Sequence, residues 1–333
     1  MNHPLLRSRS IYHLRLSYFL AIIAVCLPLA RAGQQSGSQT LAQVLATAGL
    51  KASPEAVSDL DQRITSYDVL DDPSVFAIAY HWELPSGMLE DPLRIVSLDR
   101  RSGKWKSKQL FLGSDEIAHS ECMGAVVEMQ ALPDAFLIDT HINPSAGCLL
   151  VLSRDFEFRA ALYGWYMAAF GDGSIVFQRS EVHFAAVHPA ELAVYNPRTK
   201  KEITLFPRRP FQTIRAEYVE KLRAFYNTHQ DWCRINNDPC DPETMHSDVV
   251  GDVVTSDGEH ALAFVISYEP IQVFKDAQLP VGPGNVVYVC RHADDDSKLE
   301  YREMLQGDVE KRFGNVPLKA LLRPETLQQI FTP

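Results

Sequence analysis

This 333-residue chain lacks the short motifs that usually announce a reaction. It has no Gly-x-Ser-x-Gly elbow, no His-Glu-x-x-His helix, no Cys-x-x-Cys pair and no Walker loop, so no nucleophile, zinc site or phosphate cradle can be named from local pattern. Val281-Gly-Pro-Gly-Asn285 has two glycines, but it falls between strand-like runs and not at a helix start. Clustered cations are missing too. The lysines and arginines are scattered and Arg208-Arg209 is too short to be a patch, which argues against nucleic acid as a partner, since a phosphate backbone is bound by grouped Lys and Arg. A membrane-spanning run is also wanting. The apolar stretch Tyr18 to Leu29 is short for a span of about 20 residues. Between Leu41 and Phe331 there is no Gly/Ser-rich or Pro-rich linker to mark a domain boundary.

What is present speaks first to compartment. Residues 1–32 read as a secretory signal peptide, with Arg7, Arg9 and Arg15 ahead of the apolar run and Ala30-Arg-Ala32 as a small-x-small cleavage site. Cys26 sits inside the run after Val25, which does not make a lipobox. The expected product is a periplasmic or secreted protein of residues 33–333, without stable membrane insertion after cleavage. Removal takes Arg7, Arg9, Arg15 and Arg31 and no acid, so 32 basic residues become 28 against 42 acidic ones, a net charge near −14. An oxidising compartment permits disulfides among the remaining cysteines, Cys122, Cys148, Cys233, Cys240 and Cys290. Cys233 and Cys240 flank a turn-rich Arg-Ile-Asn-Asn-Asp-Pro stretch and are the expected pair; Cys122 with Cys148 is the next candidate.

Periodicity then gives the fold class. An apolar strand, a polar turn and a return strand recur at Leu93–Trp105, Leu149–Phe158, Leu192–Ile203 and Val286–Met304. Each is preceded by a second strand: Val75–Tyr80, Phe136–Thr140, Ser174–Gln178 and Ala261–Ile266. These are entered through Asp72-Pro-Ser, Leu132-Pro-Asp, Gly171-Asp-Gly and Ser256-Asp-Gly turns. Four such units predict an all-β, propeller-like array of four-stranded antiparallel blades, four or five in number, in a single domain over 33–333. A β-sandwich is the alternative. Ser97, Ser153 and Asn196 serve as landmarks of the outer hairpins. Leu41–Ala46 and Pro54–Ile64 read as short helices, Leu318–Ile330 as a closing stretch unlike a blade, and about 211–245 as a helical insert, from Ile214, Tyr218, Leu222 and Phe225 at helical spacing.

The outer hairpins Leu192-Ala-Val-Tyr-Asn-Pro-Arg-Thr-Lys-Lys-Glu202 and Val96-Ser-Leu-Asp-Arg-Arg-Ser-Gly-Lys104 resemble those of bacterial secreted β-propellers of the YVTN and quinoprotein type. The resemblance implies a propeller fold and names no activity.

One repeat preserves polar residues. His119-Ser-Glu-Cys-Met-Gly-Ala-Val-Val127 recurs as His246-Ser-Asp-Val-Val-Gly-Asp-Val-Val254. In a propeller both segments fall in inter-blade loops, on the same rim as His81 and His141, which end second strands. Three readings compete. The histidines lock their own loops by hydrogen bonds. Or His81, His119, His141 and His246, with Glu121 and Asp248, hold a divalent transition metal, since neutral imidazole suits Zn, Cu and Fe. Or the rim binds a polar small molecule, polymer or protein without a metal, using Trp82, Tyr163, Trp165 and Tyr268 as apolar platforms. The expected function is a binding or structural module of unspecified ligand; the alternative is a metal-dependent, lactonase-like hydrolase at that rim.

Overall fold

The second and third strands of each unit are the most apolar runs of the chain because both of their faces are covered. Val75–His81 is buried at every position, and Leu149–Leu152 and Ala261–Phe264 likewise. Strands enclosed on both faces read as continuous apolar runs, whereas half-exposed strands alternate. The outer strands Lys104–Leu110, Lys201–Phe206 and Leu299–Leu305 are only partly buried, and their exposed positions carry Lys104, Lys106, Lys201, Glu300 and Arg302, the charges expected at a sheet edge.

The computed structural model describes residues 39–52, 56–82, 92–110, 124–143, 146–179, 191–207, 211, 213–236, 242, 248–258, 260–268, 280–292 and 299–332. The chain divides into two compact units, residues 1–110 with 125–129, and residues 111–124 with 130–333.

The first unit holds β1 (Gln39–Thr40), α1 (Leu41–Thr47), β2 (Arg63–Asp71), β3 (Val75–Trp82), β4 (Leu93–Asp99) and β5 (Lys104–Leu110), with the sheet order β1-β2-β3-β4-β5. Thr40 caps α1 reciprocally: its Oγ1 accepts from the Gln43 backbone N–H at 3.2 Å and the Gln43 side chain accepts from the Thr40 N–H at 2.8 Å. Leu41, Val44 and Leu45 of α1 pack on Phe76, Ile78, Tyr80 and Val96 of the sheet. The predicted helix over Pro54–Ile64 is absent from its described part, 56–64. Asp59 to Gln62 make turns and Arg63 already belongs to β2, because Ser58 and Asp59 hydrogen-bond locally and draw the chain into a turn.

The seven-stranded sheet runs β12-β11-β10-β9-β8-β7-β6, from β6 (Ala125–Ala131), β7 (Phe136–Asn143), β8 (Ala146–Leu152), β9 (Phe158–Ala169), β10 (Ile175–Arg179), β11 (Leu192–Asn196) and β12 (Lys201–Phe206). It is two consecutive meanders sharing one long strand. Residues 158–163 of β9 pair with β8, and residues 164–169 pair with β10. The changeover is Gly164 at φ +151°, where a Cβ would stand 2.1 Å from the Gln178 carbonyl oxygen. No other residue type fits that approach.

Next come α2 (Thr213–Thr228) and α3 (Gln230–Asn236), the predicted insert as far as it is described. The last sheet contains β13 (Asp248–Val249), β14 (Val254–Thr255), β15 (Ala261–Ser267), β16 (Asn285–His292) and β17 (Leu299–Leu305), in the order β13-β15-β16-β17 with β14 also on β15. One face of β15 and β16 packs Phe264, Tyr288 and Cys290 with Phe206 and the α2 residues Tyr218 and Leu222. The other packs Ala261, Ala263, Val287 and Val289 under α4 (Gln306–Phe313), α5 (Leu318–Leu321) and α6 (Pro324–Phe331). The closing stretch Leu318–Ile330, expected only to be unlike a blade, is two helices, broken before Pro324, which begins α6. A third, α4, gave too short an apolar pattern to be foreseen.

The fold is all-β and propeller-like. Among the described residues its sheets are sequential antiparallel meanders. The hairpin landmarks need one change. Asp99, Ser153 and Asn196 occupy equivalent turns, each accepting backbone N–H bonds two to four residues on, from Arg101 and Ser102, from Asp155 and Glu157, and from Arg198 and Thr199. Ser97 is a buried mid-strand residue opposite Lys106. The polar repeat also diverges. Gly124 leads directly into β6 and lies so close to the His141 carbonyl that a Cβ would sit 2.0 Å from its oxygen, whereas Gly251 has φ +74° in open space and separates β13 from β14.

Candidate functional site

The rim residues are distributed as follows. His119, Glu121, His246 and Cys240 lie outside the described residues, and Asp248 is placed only by its backbone, opposite Ser267 on β15. His81 is in the first unit, 2% exposed on β3 and in register with Thr65. His141 is in the second unit, exposed on β7 and in register with Gly147. Among the described residues no three His, Cys, Asp or Glu side chains gather as metal ligands. Cys122 and Cys240 lie outside the described residues, so neither expected disulfide is described, and Cys290 is a buried free thiol.

The four aromatic platform candidates differ in surroundings. Trp82 is roofed by the buried Arg94, whose guanidinium carbon stands 3.3 Å from the indole centroid. Arg94 also faces Asp59 at 3.9 Å, and Tyr80 donates to Asp59 at 3.3 Å. Burial and the Asp59 charge push the Tyr80 hydroxyl well above the usual phenol range. Tyr268 is 1% exposed, inside the core, with its hydroxyl 2.8 Å from that of Tyr288. Burial pushes Tyr268 up to about 12, and burial beside Tyr268 pushes Tyr288 higher still. Neither hydroxyl ionises near neutral pH.

Tyr288 pairs across the sheet with Glu303 of β17, and Glu303 grips the start of the insert. One carboxylate oxygen accepts from the Thr213 N–H at 3.2 Å and the other from the Ile214 N–H at 3.0 Å. Those donors belong to the first turn of α2 and have no partner within the helix. Burial raises the Glu303 pKa, opposed by the two N–H bonds. Tyr218 on the same helix donates to the Pro280 carbonyl at 3.1 Å. This anchor was not legible in sequence, because Glu303 is 90 residues from Thr213 and looks like any edge-strand acid.

Tyr163 and Trp165, by contrast, are partly exposed on β9. Trp165 lies on β8: a Cβ on Gly147 would meet its ring atoms at 2.6 to 2.9 Å, so the glycine leaves a slot for the indole. His141 meets the indole edge-on, with ring centroids 5.5 Å apart and planes at 76°. No described residue hydrogen-bonds either ring nitrogen of His141. Gln178, half-buried, faces Trp165 across the β9–β10 pairing. Beside it Arg179 is held by Glu191 at 2.7 Å and by Glu202. An indole, an imidazole and a carboxamide thus share one end of the sheet. Gly147 was the sequence signal passed over, since a glycine inside a strand marks a close approach.

No protein-family model matches the chain, and no curated protein does. Among solved structures it is similar to prolyl endopeptidase (10% identity, TM-score 0.29, 62% of this chain and 25% of the other). It is also similar to the tricorn protease (8%, 0.34, 65% and 17%) and to the β-propeller domain of the Trilobed protease from Pyrococcus furiosus (11%, 0.27, 71% and 70%). The chain therefore spans a quarter or less of the first two. The fold assignment rests on the strand meanders of the chain itself.

Proposed function

We propose that residues 33–333 form an exported, propeller-like binding module whose ligand site is the His141–Trp165 end of the second unit. The observation that carries this reading is the indole of Trp165 resting on Gly147 with the His141 imidazole at its edge. A partly exposed aromatic beside unengaged polar groups offers contact area and orientation at once. The periplasmic or extracellular location, and the finer kinship to YVTN or quinoprotein propellers, belong to the same proposal. They rest on the basic-apolar-small order of residues 1–32 and on the hairpin sequences at 96–104 and 192–202. Under export, Cys240 and Cys122 are the partners assigned to Cys233 and Cys148, which a non-reducing peptide map would establish or refute. The alternative, a metal-dependent, lactonase-like hydrolase at the histidine rim, turns on His119, Glu121 and His246, which lie outside the described residues.

The test is a solution screen of peptides, metabolites and glycans by tryptophan fluorescence, repeated on Trp165→Ala. A ligand held by the parent protein and lost by the variant supports the module. A ligand bound equally by both would move the site elsewhere.

A further inference from the structure

We infer that the occupant of the His141–Trp165 platform is a neutral polysaccharide, lying along the sheet end with a sugar ring stacked on the indole. The inference rests on the proposal that this platform is the ligand site. Three features select the ligand chemistry.

The first is shape. The indole lies against the sheet surface, and its slot exists only because residue 147 has no side chain. Metabolites are usually held in concave sites that bury most of their surface, whereas His141 is exposed and Trp165 only half-buried on the sheet. An open platform suits a long ligand that makes shallow contacts along its length. The His141 and Trp165 rings stand 5.5 Å apart and Gln178 faces Trp165 from the next strand, β10, so the contacts run across neighbouring strands.

The second is the kind of polar group. His141 offers a ring nitrogen that donates and one that accepts, and the Gln178 carboxamide does the same with its two ends. Hydroxyl groups are donor and acceptor together, so a polyol can satisfy both side chains whichever imidazole tautomer is present. Its apolar ring face meanwhile covers the indole, where a charged or fully polar surface would be left desolvated without compensation.

The third is charge. Arg179, next to Gln178 on β10, is already engaged by Glu191 and Glu202. One guanidinium between two carboxylates leaves no positive surplus for a polyanion, and the whole chain is acidic. A nucleic acid or sulfated polymer is therefore disfavoured, and a neutral chain is not.

The experiment is native affinity electrophoresis in gels containing a soluble β-glucan, an α-glucan or a xylan, with dextran sulfate as the polyanion. The parent protein should be retarded by at least one neutral polysaccharide and not by dextran sulfate. Trp165→Ala should weaken that retardation by about three- to tenfold, the size of an aromatic contact. Gly147→Ala, which keeps both side chains but fills the slot, should weaken it too. Trp165→Phe and the exposed-site variant His141→Ala serve if either of these fails to fold, with Trp232→Ala expected to bind as the parent does. Retardation by none of the neutral polymers, or only by dextran sulfate, overturns the sugar assignment. Retardation unchanged in folded Trp165→Ala and Gly147→Ala overturns it as well. The two proposals can fail separately: if a non-sugar ligand from the screen is lost in Trp165→Ala, the platform stands and the saccharide does not.

Discussion

Two places in the second unit use nearly the same ingredients, aromatic rings with a few polar groups beside them, and come to opposite ends. Around Tyr268 and Tyr288 the rings are sealed: the two hydroxyls bond each other, Phe264 stacks on Tyr288 at 5.1 Å, and Glu303 holds the first turn of α2. Around Trp165 the indole and His141 stay in contact with solvent, and no described residue bonds the imidazole. The difference lies in what covers them. A polar group taken out of water must find its partner within the protein, so the sealed cluster pairs its hydroxyls. The open cluster is under no such requirement and can keep its valences for a ligand.

The sealed cluster should be costly to alter. Phe264→Ala removes a fully buried ring between Tyr288 and Phe206 and should cost about 3–5 kcal/mol in denaturant unfolding. Tyr288→Phe keeps the ring and leaves the Tyr268 hydroxyl without its partner, for about 1–3 kcal/mol. A cost under half a kcal/mol for both would show that the cluster is not sealed.

Glu303 gives the next effect. Glu303→Ala should lower stability by about 0.5–2 kcal/mol, as loss of a helix cap does, and loosen amide-exchange protection over the first turn of α2. Its pH dependence has a definite sign. The folded-state pKa is raised, so between the unfolded and folded values the native protein binds more protons, and the stability tied to this group is lost as pH rises through the folded pKa. Glu303→Gln should flatten that part of the profile; an unchanged slope would assign it to another group.

The smallest effect belongs to the open cluster. His141→Ala should shift stability by no more than about 0.5 kcal/mol, as expected of an exposed residue without hydrogen-bonded partners among the described residues. A loss above about 1 kcal/mol would make His141 a structural lock and remove the contrast.

Much of the architecture was legible along the chain. Apolar runs at 75–81, 149–152 and 261–264 mark strands enclosed on both faces, and the Asx and Ser side chains at 99, 153 and 196 close the outer turns through bonds to their own neighbours. Both are local signals. The helix expected over 54–64 gives way to turns over 58–62 for a local reason as well, since Ser58 and Asp59 favour a turn. Tyr268, by contrast, had the composition of a surface platform and sits in the core, where burial depends on α2 docking over β16 and β17.

The sequence by itself determined the strand and turn order, the place of the insert and the acidic character, because side-chain periodicity and turn chemistry act over a few residues. Only the tertiary structure decided which clusters are closed and which are open. Thr213 with Glu303, Tyr268 with Tyr288, and Gly147 with Trp165 are distant in sequence and adjacent in space. Whether such a group is satisfied or left available depends on what packs over it, and no local pattern carries that information.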